Sequence, residues 1–200
     1  MAQNFNVLSH QRLTQAVYLL NPPESHGSVV SLESPAICAM TDLSHTRPLI
    51  IDPFATITEA NEKMISYAVR MLFVVQAQQQ MIGIISATDI LGEKPVKYMH
   101  EVNSLYEDIQ VRDIMTPVTE LEVLTLPDVE RGRIGDIVET LRRSGRQHAL
   151  VLATDADDMP KYICGIFSSS NISRLMNTRV EVAEVANNFA AIQSALSQAT

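Results

Sequence analysis

The chain has 200 residues, 46% of them apolar, enough to bury one sizeable core or two small ones. A formal charge of −8 and a pI near 5.1 argue against nucleic acid as the main partner, because neutralising phosphates requires a net basic face. Its two cysteines, Cys38 and Cys164, stand far apart with no CxxC spacing, which excludes a disulfide scaffold or a cysteine-built zinc site and suits a reducing compartment.

The opening "MAQNFNVLSHQR" lacks the basic-then-apolar pattern of a signal peptide, and apolar runs such as "AVYLL" and "MLFVV" are far shorter than a membrane span. A soluble, cytoplasmic chain is expected. Ser9 to Leu20 reads as a helix ended by Asn21-Pro22-Pro23. After "AICAMTDL" (36–43) and a short strand "PLII" (48–51), Ile57, Ala60, Met64 and Ala68 recur at helical spacing, and Thr56 with Glu59 forms a capping box at that helix's start. A hairpin follows, "LFVV" then "MIGII", and a second short helix begins within "GIISATDI" (83–90).

The same order then returns. "VRDIMTPV" (111–118) repeats the Met-Thr of "AICAMTDL", and the segment from Ile57 aligns with that from Ile134 at an offset of 77. Ile134, Ile137, Val138 and Leu141 make the apolar stripe of the second helix, and Gly145 ends it. The hairpin "ALVL" and "YICGIF" leads to "GIFSSSNI" (165–172), offset by 82 from "GIISATDI". The five extra residues fall in the hairpin turn, where insertions cost little packing. Strand, helix, strand, strand, helix is thus written twice. A unit of about 55 residues cannot cover both faces of its small sheet, so the two units should stack sheet on sheet in one body. Glu93 to Gln110 connects them. Near the C-terminus Val182, Val185, Phe189, Ile192 and Leu196 keep heptad spacing over two heptads, too few for a coiled coil; packing on its own domain and contact with another subunit stand at even odds.

Ser86 and Asp89 in the first motif, and Ser168 and Asn171 in the second, have two readings. A serine at the N-cap with an acid at N3 stabilises a helix start and needs no ligand. The same junction of strand and helix also presents backbone N–H groups and the positive end of a helix dipole, which attract phosphate. A carboxylate one turn further has oxygens placed for the vicinal hydroxyls of a ribose. The motif alone does not separate cap from ligand grip.

The doubled pattern resembles the cystathionine-β-synthase-type (CBS) domain pair, or Bateman module. Met40-Thr41 and Met115-Thr116, the strands "VRMLFVV" and "RQHALVL", and "GIISATDI" with "GIFSSSNI" carry the likeness over about residues 35–178. The resemblance implies an α+β fold of tandem CBS domains, β-α-β-β-α repeated with pseudo-twofold symmetry, between flanking helices. It divides the chain into an N-terminal extension (1–34), CBS repeat 1 (35–97), a linker (98–110), CBS repeat 2 (111–178) and a C-terminal helix (179–200). It also implies a regulatory module binding AMP, ADP, ATP or S-adenosylmethionine between the repeats, with no catalytic residues and no required cofactor. A homodimer and an unidentified regulated protein would be its partners. The ligand residues implied are Ser86, Asp89, Ser168 and Asn171, with Arg70, Gln147 and His148 near the second strand of each repeat and Thr41 and Thr116 at the base. Asn171 departs from the pattern: without a charge its hydrogen bonds are about half as strong, so the Asp89 cleft is expected to be the better nucleotide site. The alternative is a ligand-free dimerisation module in which both serines are caps only.

Other patterns fall away. His10, His26, His45, His100 and His148 have no metal-ligand spacing, and "DADD" (155–158) lacks the glycine and terminal glutamate of a calcium loop. "GRIG" (132–135) does not open a dinucleotide fingerprint, and no G-x-S-x-G elbow occurs. Arg131, Arg133, Arg142, Arg143 and Arg146 cluster, but Asp136 and Glu139 interrupt them, as on a solvated helix face.

Overall fold

The computed structural model describes residues 30–77, 80–153 and 162–177. Both predicted terminal helices, His10, His26 and the acidic run 155–158 lie outside them. The elements run β1 (Thr41–Asp42), β2 (Ile50–Ile51), α1 (Ile57–Ser66), β3 (Met71–Val75), β4 (Met81–Ser86), α2 (Ala87–Leu91), α3 (Lys94–Val102), α4 (Val111–Ile114), β5 (Thr116–Pro117), β6 (Val123–Thr125), α5 (Leu126–Arg131), α6 (Ile134–Ser144), β7 (His148–Ala153), β8 (Tyr162–Ser168) and α7 (Ser169–Met176). The expected α+β repeat is present. The strand at "PLII" narrows to two residues, and the connection between repeats is largely helical through α3, an element the sequence reading left unassigned.

Local chemistry accounts for the helix limits. The Thr56 hydroxyl accepts the Glu59 N–H at 3.1 Å, and the Glu59 carboxylate accepts the Thr56 N–H at 2.8 Å, closing the capping box of α1. Ile57, Ala60 and Met64 line its buried face. Helix α6 buries Ile134, Ile137 and Leu141 in the same way and stops at Gly145, whose φ of 63° lies in the left-handed region. The equivalent position in the first repeat is Ala68, with φ 51°. An L-residue there costs about 1 kcal/mol that glycine avoids.

Two four-stranded sheets form, ordered β2-β3-β4-β5 and β1-β8-β7-β6. Each contains a strand from the other repeat. β5, at the entry to the second repeat, pairs with β4 of the first, Gly83 opposite Pro117 and Ile84 opposite Thr116. β1, at the entry to the first, pairs with β8, Thr41 opposite Ile166 and Asp42 opposite Gly165. The repeated Met-Thr doublets and the repeated glycines are therefore two sides of one contact: the entry strand crosses so closely that a side chain on Gly83 or Gly165 would collide with it.

Behind the first sheet, Ile57, Met64, Leu72, Val74, Ile85 and Ile114 form one core; behind the second, Ile134, Leu141, Val151, Phe167 and Ile172 form another. Met71, Phe73 and Leu150 fill the space between the sheets, with Ile84 and Ile166 packed against them. The sheets thus meet face to face, as expected for units that cannot cover themselves. Four of the five clustered arginines lie on the solvated face anticipated: Arg131 pairs with Asp128 at 2.8 Å, Arg142 and Arg143 pair with Glu139, and Arg133 pairs with Glu33, whereas Arg146, past the end of α6, turns into a cleft between the repeats.

Candidate functional site

Strand exchange brings each Ser-x-x-acid/amide junction beside residues of the other repeat and leaves two clefts. The first, about 370 Å³, is lined by Arg70, Ile84, Ser86, Thr88, Asp89, Lys94, Thr116, Leu121, Gly145, Arg146, Gln147 and His148. The second, about 530 Å³, gathers Thr41, Arg47, Arg70, His148, Ser168, Ser170, Asn171 and Arg174 among its walls. All nine residues singled out from sequence thus line one cleft or the other, and Arg70 and His148 line both.

In the Asp89 cleft the cap is real. The Ser86 hydroxyl donates to Asp89 Oδ2 at 2.6 Å, the Ser86 N–H donates to the same oxygen at 2.8 Å, and the hydroxyl accepts the Asp89 N–H at 3.2 Å. The other oxygen, Oδ1, is paired with Lys94 Nζ at 2.6 Å, and the carboxylate is only 13% exposed. Lys94 also donates to the Ile114 carbonyl at 3.0 Å and the Thr116 hydroxyl at 3.3 Å, tying α3 to the entry of the second repeat. A carboxylate has about four lone-pair sites, so being a cap and a salt-bridge partner leaves acceptor capacity for a ligand. Lys94 was missed by the sequence reading. Its only signal is a lysine five positions after the acid, at the start of the next helix.

In the Asn171 cleft the Ser168 hydroxyl accepts the Asn171 N–H at 3.1 Å, again a cap. Asn171 Nδ2 donates to the Ala39 carbonyl at 3.4 Å, and its Oδ1 accepts from Arg174 at 2.9 Å. Both ends of the amide are engaged within the protein. Arg47 and Arg174 also escaped the sequence reading. Arg174 lies three residues after Asn171 on the same helical face, a spacing that could have signalled it; nothing in the sequence marks Arg47.

His148 opens β7 opposite Ser168. Desolvation first, and the charge of Arg70 second, push its pKa down to about 4, so it is neutral at pH 7. The unfolded chain takes up this proton near pH 6.5, whereas the folded chain holds it off until about 4. Stability therefore rises with pH across that window, by at most about 1.4 kcal/mol per unit from this group. Urea unfolding at steps between pH 4 and 7 should show the rise, and His148→Gln should flatten it. An equal slope in the variant contradicts the assignment.

A larger hollow of about 630 Å³ between the sheets is walled by Phe73, Val75, Met81, Leu121, Leu152 and other uncharged residues. With no charged side chain among its described lining residues it offers no hold for a phosphate, so the two polar clefts are the chemically capable sites. Among the described residues no group of three or more His, Cys, Asp or Glu could hold a metal ion, and no helix is long and apolar enough to cross a membrane.

Comparison with known proteins places this architecture. The family model for the CBS domain matches residues 40–95. The structure superposes on that of an uncharacterized conserved protein from Pyrococcus horikoshii with a TM-score of 0.52 and 22% identity, covering 76% of this chain and 98% of that one. It superposes on CBSX2 in complex with AMP with a TM-score of 0.50 and 18% identity, covering 81% of this chain and 98% of that one. CBSX2, from Arabidopsis thaliana, is a CBS-pair protein. The chain has the fold of a CBS domain pair. No curated protein matches its sequence. In this fold the exchanged entry strands β1 and β5 supply Thr41 and Thr116, so each cleft is built from both repeats.

Proposed function

We propose that this CBS pair is a cytoplasmic, non-catalytic sensor that takes an adenosine-containing ligand, such as AMP, ADP, ATP or S-adenosylmethionine, in the Asp89 cleft. The observation that carries the reading is the shielded Asp89 carboxylate at the start of α2, beside Lys94, Arg70 and Arg146 in a cleft shared by both repeats. The carboxylate suits vicinal ribose hydroxyls, and the cations suit phosphate or, for S-adenosylmethionine, the amino-acid carboxylate. CBSX2, whose fold this chain shares, is known with AMP bound, which supports the same ligand class. Because the ligand would touch residues of both repeats, occupancy would bias their relative arrangement and so a regulated protein. Coupling of this kind is typically worth about 1–3 kcal/mol.

A thermal-shift panel tests the reading. A ligand at roughly 100 times its Kd should stabilise the fold by about 2.7 kcal/mol. Absence of a shift with all four ligands contradicts it.

One observation favours a second reading, assembly without a ligand. Ile65 on α1 and Leu91 on α2 are 71% and 72% exposed and line one shallow hollow with Met64 and Ala87. Such a patch suits a second copy of the chain. Sedimentation should then show a dimer that Leu91→Asp converts to monomer; a monomeric parent protein rules this reading out.

A further inference from the structure

The helix between the repeats outruns the core it packs on. Along α3, Pro95, Tyr98, Met99 and Val102 fall at i, i+3, i+4 and i+7, one apolar stripe. Pro95 is buried, and Tyr98 and Met99 pack on the first core, but Val102 at the end of the stripe faces water. Asn103 then turns the chain with a left-handed φ of 54°, and Leu105 and Tyr106 follow, also exposed. Phe54 is brought alongside by backbone pairing. The Ile109 carbonyl accepts the Ile57 N–H at 3.0 Å, the Ala55 carbonyl accepts the Val111 N–H at 2.8 Å, and the Pro53 carbonyl accepts the Arg112 N–H at 3.0 Å. Phe54, Val102, Leu105 and Tyr106 are 43–62% exposed. Large apolar side chains gathered at a surface mark an interaction site.

The rim of this strip is acidic. Glu101, Glu107 and Asp108 are all exposed. Among the described residues Glu107 and Asp108 form no ion pair, whereas Glu33, Glu93, Asp128 and Glu139 elsewhere on the surface do. The neighbouring cations are engaged: Lys97 with Glu93 at 2.8 Å, and Arg112, 4.6 Å over the Phe54 ring, with Asp113 at 3.9 Å.

Charge decides among occupants. A second copy would set carboxylate against carboxylate, and nucleic acid or an anionic membrane would meet the same repulsion. The chain's own ends hold no surplus of cations: residues 1–29 carry Arg12 against Glu24, and 178–200 carry Arg179 against Glu181 and Glu184. A lysine- or arginine-rich amphipathic segment of another polypeptide satisfies both features, with its apolar face on the strip and its cations on the rim.

We propose that the strip of Phe54, Val102, Leu105 and Tyr106, edged by Glu101, Glu107 and Asp108, docks a basic amphipathic helix of a partner protein. None of these residues lines either polar cleft, so the docking surface stands apart from the adenosine reading.

Fluorescence anisotropy of the full chain with a short labelled leucine-lysine peptide, patterned as an amphipathic helix, tests it at physiological salt. Saturable binding is expected, weakened at least about tenfold by Leu105→Ser and by the pair Glu107→Lys with Asp108→Lys. Glu122→Lys with Glu130→Lys makes the same charge change on the second repeat, where screening isolates it from the strip, and should alter affinity less than about threefold. A leucine-glutamate peptide of the same pattern should not bind. Every substituted position is exposed, so the variants keep the fold. Absence of saturable binding, equal weakening by the control pair, or no effect of Leu105→Ser overturns the proposal. So does a dimer in sedimentation that Leu105→Ser converts to monomer, since a second copy would then cover the strip.

Discussion

Gly83→Ala is expected to lower stability by about 3 kcal/mol and the melting temperature by roughly 6–12 °C. A Cβ at this position would lie 2.5 Å from the Thr116 carbonyl oxygen, 3.0 Å from Met115 Sδ and 3.3 Å from Pro117 Cα. The nearest obstacle is backbone, and that backbone belongs to β5, the strand by which the second repeat enters the first sheet. Relief requires β4 and β5 to part, which loosens the link between repeats and the wall that holds Thr116. Gly165→Ala provides the contrast, because the atoms it would meet all belong to the flexible Met40 side chain. Its cost should be smaller and should largely vanish in the double variant with Met40→Ala. Met115→Ala should not rescue Gly83→Ala, since the Thr116 carbonyl remains. Thermal melts of the four variants check this; a stable Gly83→Ala protein would mean that the exchanged strand is not held as described.

Asp89→Ala should weaken the adenosine ligand by about 10–100-fold, the value of losing hydrogen bonds to a charged group. The variant also loses its cap, so affinity must be read beside stability. Ser86→Ala separates the two: it costs about 1 kcal/mol of stability as a lost cap yet keeps the carboxylate. Lys94 supplies the opposite sign. Its ammonium engages Asp89 Oδ1 at 2.6 Å, the oxygen that ribose hydroxyls would have to share. Lys94→Met should therefore tighten binding of uncharged adenosine several-fold while weakening a phosphorylated ligand that uses the ammonium. Equal affinities of the Asp89→Ala and parent proteins would remove the carboxylate from the account.

The sequence made the repeat legible because local rules wrote it twice. Thr56 with Glu59 and Ser86 with Asp89 act as caps within one turn, and the stripe Ile57, Ala60, Met64 follows helical spacing, so short-range reading suffices. The residues that the resemblance named all line one cleft or the other, since its motifs carry the strand-to-helix junctions. Strand exchange was not legible. β1 and β5 are two residues long, and what fixes their partners is the bare backbone at Gly83 and Gly165, more than 30 positions away in sequence. For the same reason Lys94 and Arg47 stayed hidden: their places are set by tertiary contact, not by any period. The sequence also ranked the two clefts on one substitution, acid to amide at position 171. The structure shows that this change comes with a different charge set, since Arg47, Arg70 and Arg174 line that cleft.

The most direct measurement is a structure of the chain crystallised with AMP. Ribose hydroxyls within about 2.6–3.0 Å of the Asp89 carboxylate, with the phosphate beside Arg70, Lys94 or Arg146, are the expected result. A nucleotide bound with its ribose away from Asp89, or an Asp89 cleft that stays empty at saturating AMP and at saturating S-adenosylmethionine, would contradict the sensor.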